Sequence, residues 1–129
     1  MLLLLDTHTF LWMIDDSTLL SNHARELLRD MNNRLFLSIV SPWEIGIKIA
    51  SGKFTPPEEP LDQFFKTQLN LTSIDLLRIE LDHIQVVSSL PNHHRDPFDR
   101  MLIAQSIAEG LPIISADTAF DAYGVTRLW

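Results

Sequence analysis

The sequence predicts an α/β domain in which a parallel sheet of four to five strands is covered by helices on both faces. Three observations carry this. Short apolar runs alternate with segments whose apolar residues recur at helical spacing, the arrangement that builds a parallel sheet. Several of those runs are apolar throughout, as strands buried on both faces require. Acidic residues stand where the runs stop, or just inside the helices that follow. Strand ends and helix starts meet at one edge of such a sheet, and ligands bind there.

Leu2–Leu5 reads as the first strand, and Phe10-Leu11-Trp12 with Ile14 as a short helix behind it. Ser21 is a plausible N-cap for a helix to about Met31, with Ala24, Leu27, Leu28 and Met31 on one face. Leu35–Ile39 is the second strand. Ser41-Pro42-Trp43-Glu44 has the composition of a helix start: a capping serine, proline in first position and an acid in the first turn. That helix runs to about Ser51 and stops at Gly52. The proline-rich stretch Lys53–Pro60 is a loop, Leu61–Leu69 a helix and Leu71–Ile74 a third strand. Leu76–Ser89 is helical, with Leu77, Leu81, Ile84 and Val87 or Ser88 facing inward. After the polar loop Pro91–Arg95, Asp96-Pro97 opens a helix that Gly110 ends. Pro112–Ala116 is the fourth strand, Phe120–Tyr123 a turn or short helix and Val125–Leu128 the fifth strand.

The 129 residues form one domain, 1–129, of ordinary size, and the hydrophobic share of 46% can build a core. No segment approaches the ~20 apolar residues of a membrane span, so no membrane partner is expected. Leu2–Leu5 is too short for a signal-peptide core and lacks a basic leader, which favours the cytoplasm. Without cysteine there is no thiolate nucleophile and no zinc–thiolate site. The formal charge of −7 counts against a broad basic groove for nucleic acid. A metal held in an acidic pocket offers another way to receive a phosphate oxygen.

Five acids are candidates for such a pocket: Asp6, Glu44, Asp96, Asp99 and Asp117. Asp6 follows the first strand directly; it caps the next helix, and its carboxylate also suits a metal. Glu44, in the first turn after strand two, meets the positive end of a helix dipole. Asp96 is the natural N-cap before Pro97. Asp99 is not needed for capping and is the better ligand of the two. Arg100 shields the cluster, touches phosphate or forms an ordinary salt bridge. Asp117 follows strand four, where Ser115 could orient it; Asp121 is expected to be solvated. Two carboxylates ~4 Å apart repel by roughly 1 kcal/mol in water-like surroundings and about 4 kcal/mol at a surface-like dielectric. Four converging carboxylates therefore call for protonation or a countering cation. Oxygen-only donors suit Mg²⁺ or Mn²⁺ rather than zinc or copper. His93 and His94 read as exposed loop residues, and His8 as a packing or capping group. Trp12, Trp43 and Trp129 read as core or interface aromatics.

These residues carry a family resemblance. The segments at 3–12 (LLLDTHTFLW), 41–48 (SPWEIGIK), 96–105 (DPFDRMLIAQ) and 114–117 (ISAD) resemble a PIN-domain protein, and more narrowly a VapC-type toxin of a bacterial toxin–antitoxin pair. The match runs over essentially the whole chain. The resemblance implies a three-layer α/β/α domain with sheet order 3-2-1-4-5 and a Mg²⁺- or Mn²⁺-dependent endoribonuclease. It implies Asp6, Glu44, Asp99 and Asp117 as catalytic metal ligands and Asp96 as a possible accessory; Ser115 and Arg100 are possible accessories by their positions beside these acids. The implied partners are RNA, a cognate antitoxin and a second copy of the chain. The acidity of the chain fits a folded, specific RNA held by few contacts.

Two other readings remain. One is a Mg²⁺-dependent phosphotransfer or receiver-like domain, although Asp6-Thr7-His8 lacks the paired acids such proteins use. The other is a non-catalytic PIN-fold binding partner, against which the presence of all four acids speaks.

Overall fold

In the computed structural model, which describes residues Met1–Trp129, strand β1 (Leu2–Leu5) lies at the centre of a five-stranded sheet. Strands β2 (Arg34–Ser38) and β3 (Asp75–Leu77) follow on one side, and β4 (Ile113–Ile114) and β5 (Arg127–Leu128) on the other. The order is β3-β2-β1-β4-β5 and every pairing is parallel. Central placement explains the all-apolar sequence of β1. Leu3 and Leu5 join one core cluster with Leu35, Leu37 and Phe10, while Leu4 joins a second with Leu102, Ile103 and Ile113. Only Leu2, at the strand start, is half exposed.

Six α-helices cover the sheet: α1 (Thr7–Ile14), α2 (Asn22–Arg29), α3 (Val40–Ala50), α4 (Leu61–Thr72), α5 (Leu81–Ser88) and α6 (Pro97–Glu109). A 3-10 helix spans Thr118–Tyr123. Capping residues account for two of the starts. Ser21 accepts a hydrogen bond from the Ala24 amide (3.0 Å). Asp96 accepts from the amides of Phe98 (2.8 Å) and Asp99 (3.2 Å), with Pro97 first in the helix. Gly110 closes α6 at φ 65°, in the left-handed region.

Several elements depart from the sequence expectation; β4 and β5, at two residues each, are shorter than the expected 112–116 and 125–128. The α3 helix starts at Val40, before the expected cap. The Ser38 hydroxyl accepts from the Val40 amide, and Pro42 falls within the first turn, where a missing N–H costs nothing. Glu44 is therefore a full turn inside the helix. The α4 helix continues to Thr72, past the strand expected from Leu71, whose side chain is exposed; Ser73 ends the helix in a left-handed conformation and β3 begins at Asp75. Helix α5 is shorter than expected and turned over: Leu81 and Ile84 face solvent, and the fully buried residue is His83. Its Nδ1 accepts from the Glu80 amide and its Nε2 meets Glu109 at 2.7 Å, tying α5 to the end of α6. Finally, α2 stops at Arg29, leaving Met31 almost fully exposed.

Candidate active site: a carboxylate cluster at the sheet edge

Two strand ends and two helices bring the acids together: Asp6 and Asp117 follow β1 and β4, while Glu44 and Asp99 stand in the N-terminal parts of α3 and α6. Asp6 ends β1 and stands at the N-cap of α1, yet its side chain makes no cap hydrogen bond. Its carboxylate instead accepts from the Ser115 hydroxyl (2.7 Å), just beyond β4. Asp6 is only 6% exposed, and that burial raises its carboxyl pKa, partly offset by the Ser115 hydrogen bond. Ser115 also accepts from the backbone amide of Asp117 (3.0 Å), so it orients the Asp6 carboxylate and the Asp117 main chain, not the Asp117 carboxylate.

Glu44 is 3% exposed and held at both oxygens: Thr7 donates to Oε1 (2.9 Å) and Lys48, one turn on, pairs with Oε2 (2.7 Å). Thr7 has one hydroxyl proton and gives it to Glu44, so its contact with Ser41 (2.8 Å) is one in which Ser41 donates. The SPWE segment thus supplies a hydrogen-bond relay to Glu44 rather than a capped helix start. Lys48 has its pKa raised, first by the hydrogen bond to Glu44.

Asp99 projects from the first turn of α6 and feels the other acids most strongly. Its carboxyl is pushed up to about 8, first by burial and then by the charges of Asp6, Asp96, Glu44 and Asp117. Asp6, Glu44, Asp96 and Asp117 are therefore all within electrostatic reach of Asp99. The closest grouping is tighter and includes a residue outside the expected set: the ligand-type atoms of His94, Asp99 and Asp117 lie within 4.8 Å of one another. His94 Nε2 is 3.0 Å from Asp99 Oδ2 and 3.8 Å from Asp117 Oδ2. Asp6 and Glu44 stand outside that closest group.

His94 is no exposed loop residue: its side chain is 18% exposed and its backbone amide donates to the Tyr123 hydroxyl (2.7 Å). Nothing in the adjacent pair His93-His94 distinguishes the two, since a polar loop has no periodicity to assign a facing side. Arg100 is committed elsewhere. Its guanidinium donates to the carbonyls of Pro91 (2.9 Å), Leu90 (3.2 Å) and His94 (3.3 Å), so it clamps the His94 loop and makes no carboxylate pair. Asp121 is paired with Arg127 (2.8 Å) rather than simply solvated. Trp43, next to Glu44, is 56% exposed and packs edge-on against Phe98, next to Asp99. Trp43 also lines an apolar cavity of about 390 Å³ between α3 and α4 that contains none of the clustered acids.

The donor set fits a hard divalent cation. Asp6, Asp99 and Asp117 offer only carboxylate oxygens, and their mutual repulsion is what such an ion relieves. Each ionised carboxylate has about four acceptor sites, more than its hydrogen bonds here use.

The family model described as the PIN domain matches residues 3–125. No curated protein matches the chain in sequence. Solved structures that resemble it include VapBC2 from Rickettsia felis, bound to a promoter DNA fragment, with TM-score 0.70, 12% identity, 99% of this chain and 98% of that chain covered. VapBC-1 from nontypeable Haemophilus influenzae gives TM-score 0.67 at 16% identity, with coverage of 99% and 97%. VapBC-5 from Mycobacterium tuberculosis, described as a member of a family of toxin–antitoxin systems, gives 0.60 at 16%, with coverage of 98% and 95%. At these identities the likeness is one of fold.

Proposed function

The chain belongs to the PIN-domain family, and on that premise we propose that it is a metal-dependent endoribonuclease acting as the toxin of a toxin–antitoxin pair. The observation that carries the reading is the gathering of acids around Asp99: its burial first, and then the charges of Asp6, Asp96, Glu44 and Asp117, oppose its ionisation. A fold that gathers negative charge without a cation loses stability for it, and a site that holds a cation regains that stability.

In this reading Asp6, Glu44, Asp99 and Asp117 hold Mg²⁺ or Mn²⁺. The ion, when bound, supplies neutralising charge, a phosphate-oxygen contact and a lowered pKa for attacking water. The protein's own groups set the geometry. Ser115 aims Asp6; Thr7 and Lys48 fix Glu44 from two sides. Buried at 6% and 3% exposure, these two carboxylates have little freedom to turn. Asp96 caps α6 and so sets where Asp99 emerges. RNA is the proposed substrate, with affinity that depends on the metal because the chain carries −7. Similarity to VapBC structures supports an antitoxin partner, and the same family resemblance supports a homodimer.

The test is expression of wild type and Asp99→Asn in a bacterial host, with RNA sequenced from both. Growth arrest and discrete RNA cuts are expected from wild type alone. The purified wild type is expected to cut RNA with Mg²⁺ or Mn²⁺ and to stop with EDTA. Equal arrest by both proteins, or cleavage that persists in EDTA, overturns the proposal.

A further inference from the structure

We propose that His94 is a positioning residue for Asp99, donating its Nε2–H to the Asp99 carboxylate and fixing the oxygens that carboxylate offers to a divalent ion. The role of the ion rests on the reading given above; the role of the imidazole rests on the geometry of this chain.

The backbone sets the tautomer. His94 Nδ1 lies 3.1 Å from the Asp96 amide nitrogen. A backbone amide only donates, so Nδ1 receives that bond on its lone pair. A neutral imidazole then carries its single proton on Nε2. Nε2 is 3.0 Å from Asp99 Oδ2, within hydrogen-bond distance, and 3.8 Å from Asp117 Oδ2, beyond it. The donor therefore serves Asp99.

The spacing of His94, Asp99 and Asp117 would by itself also suit a metal with histidine as its third ligand. The tautomer decides between the two roles, because a protonated nitrogen has no lone pair for a cation. Ligation through Nε2 requires the proton to move to Nδ1. There it would face the Asp96 N–H across the same 3.1 Å, donor against donor.

The ring has little freedom to escape this choice. Its side chain is 18% exposed, and its backbone is held at both ends, the amide by Tyr123 and the carbonyl by Arg100. His94 thus does for Asp99 what Ser115 does for Asp6 and what Thr7 does for Glu44. The donor set stays all-oxygen, which favours Mg²⁺ and Mn²⁺; an imidazole ligand would favour zinc or nickel.

Long-range ¹H–¹⁵N spectra of the metal-free protein test the tautomer, with the Nε2–H form expected for His94. The second arm titrates wild type, His94→Ala and His94→Gln with Mn²⁺, reading free ion by electron paramagnetic resonance. Glutamine keeps an N–H near the Nε2 position. Alanine is expected to weaken Mn²⁺ binding about tenfold and glutamine to stay within roughly threefold of wild type. Pulsed spectra of the Mn²⁺ complex are expected to lack a directly coordinated nitrogen. An Nδ1–H tautomer, a coordinated nitrogen, or wild-type affinity in a folded His94→Ala overturns the proposal. If His94→Ala does not fold, the tautomer and the glutamine variant decide. Absence of Mn²⁺ binding in wild type overturns the metal reading, and the positioning role with it.

Discussion

At the scale of single residues, Asp99 concentrates the conflict between stability and chemistry. Its carboxyl is pushed up to about 8 by burial and four acidic neighbours, so without metal the ionised form destabilises the fold. Asp99→Asn removes that charge at nearly constant shape. We expect it to raise the melting temperature in EDTA at pH 8.5, where the wild-type carboxyl is largely ionised, and to abolish RNA cleavage. A melting temperature below wild type under those conditions would contradict the electrostatic account. Ser115→Ala removes the donor to a 6%-exposed carboxylate and the acceptor of the Asp117 amide. The expected cost is about 1–3 kcal/mol in urea unfolding, with Mn²⁺ affinity falling roughly 10- to 100-fold. Asp96 was legible in the sequence as an N-cap because the Asp-Pro pair has a direct capping logic. Thr7 and His94 were not. Hydroxyls are common at helix starts, and a loop histidine carries no periodic signal. Their roles depend on residues 37 and 5 positions away, which meet only in the folded chain.

At the scale of elements, strong punctuation was readable and short or inverted elements were not. Helix α6 has its aspartate cap, its proline and its left-handed glycine where the sequence places them. Strand β3 was misplaced because three residues are too few to show a pattern, and the preceding helix carries apolar residues to its end. Helix α5 misled because Leu81 and Ile84 have helical spacing yet face solvent, while the inward residue is a histidine satisfied at both ring nitrogens. The two faces of α5 should therefore respond oppositely to mutation. Leu81→Ser is expected to change unfolding free energy by no more than about 0.5 kcal/mol. His83→Ala strands the Glu80 amide and opens a void, and is expected to cost about 2 kcal/mol or more by urea unfolding. For α6, Asp96→Ala should cost about 1 kcal/mol and Asp96→Asn much less, since asparagine caps as well.

At the scale of the whole molecule, the sheet order could be expected from family resemblance, whereas alternation of elements alone predicts only a parallel sheet with both faces covered. In a chain of net charge −7, the buried Asp99 within the acid cluster gives stability a defined dependence on pH. For Asp99 the ordinary value is 3.8 and the folded-state value about 8, so between those limits the folded chain holds a proton that the unfolded chain has released. Its contribution is fully present below the unfolded value and is lost as pH rises through the folded one. Urea midpoints in EDTA should thus fall from pH 5 to pH 8.5 relative to Asp99→Asn, and saturating Mn²⁺ should restore most of the difference. The two sides of the acid cluster leave strands of different length. Asp6 leaves a four-residue strand paired on both sides, while Asp117 follows a two-residue strand and leads into a 3-10 turn. Amide hydrogen exchange should accordingly be slowest around Leu3–Leu5 and much faster from Ala116 to Ala119, where local opening precedes global unfolding. Where exchange follows that order, the Asp6 side of the acid cluster is the fixed one, and the Asp117 side opens at a rate set by how long two residues of β4 stay paired.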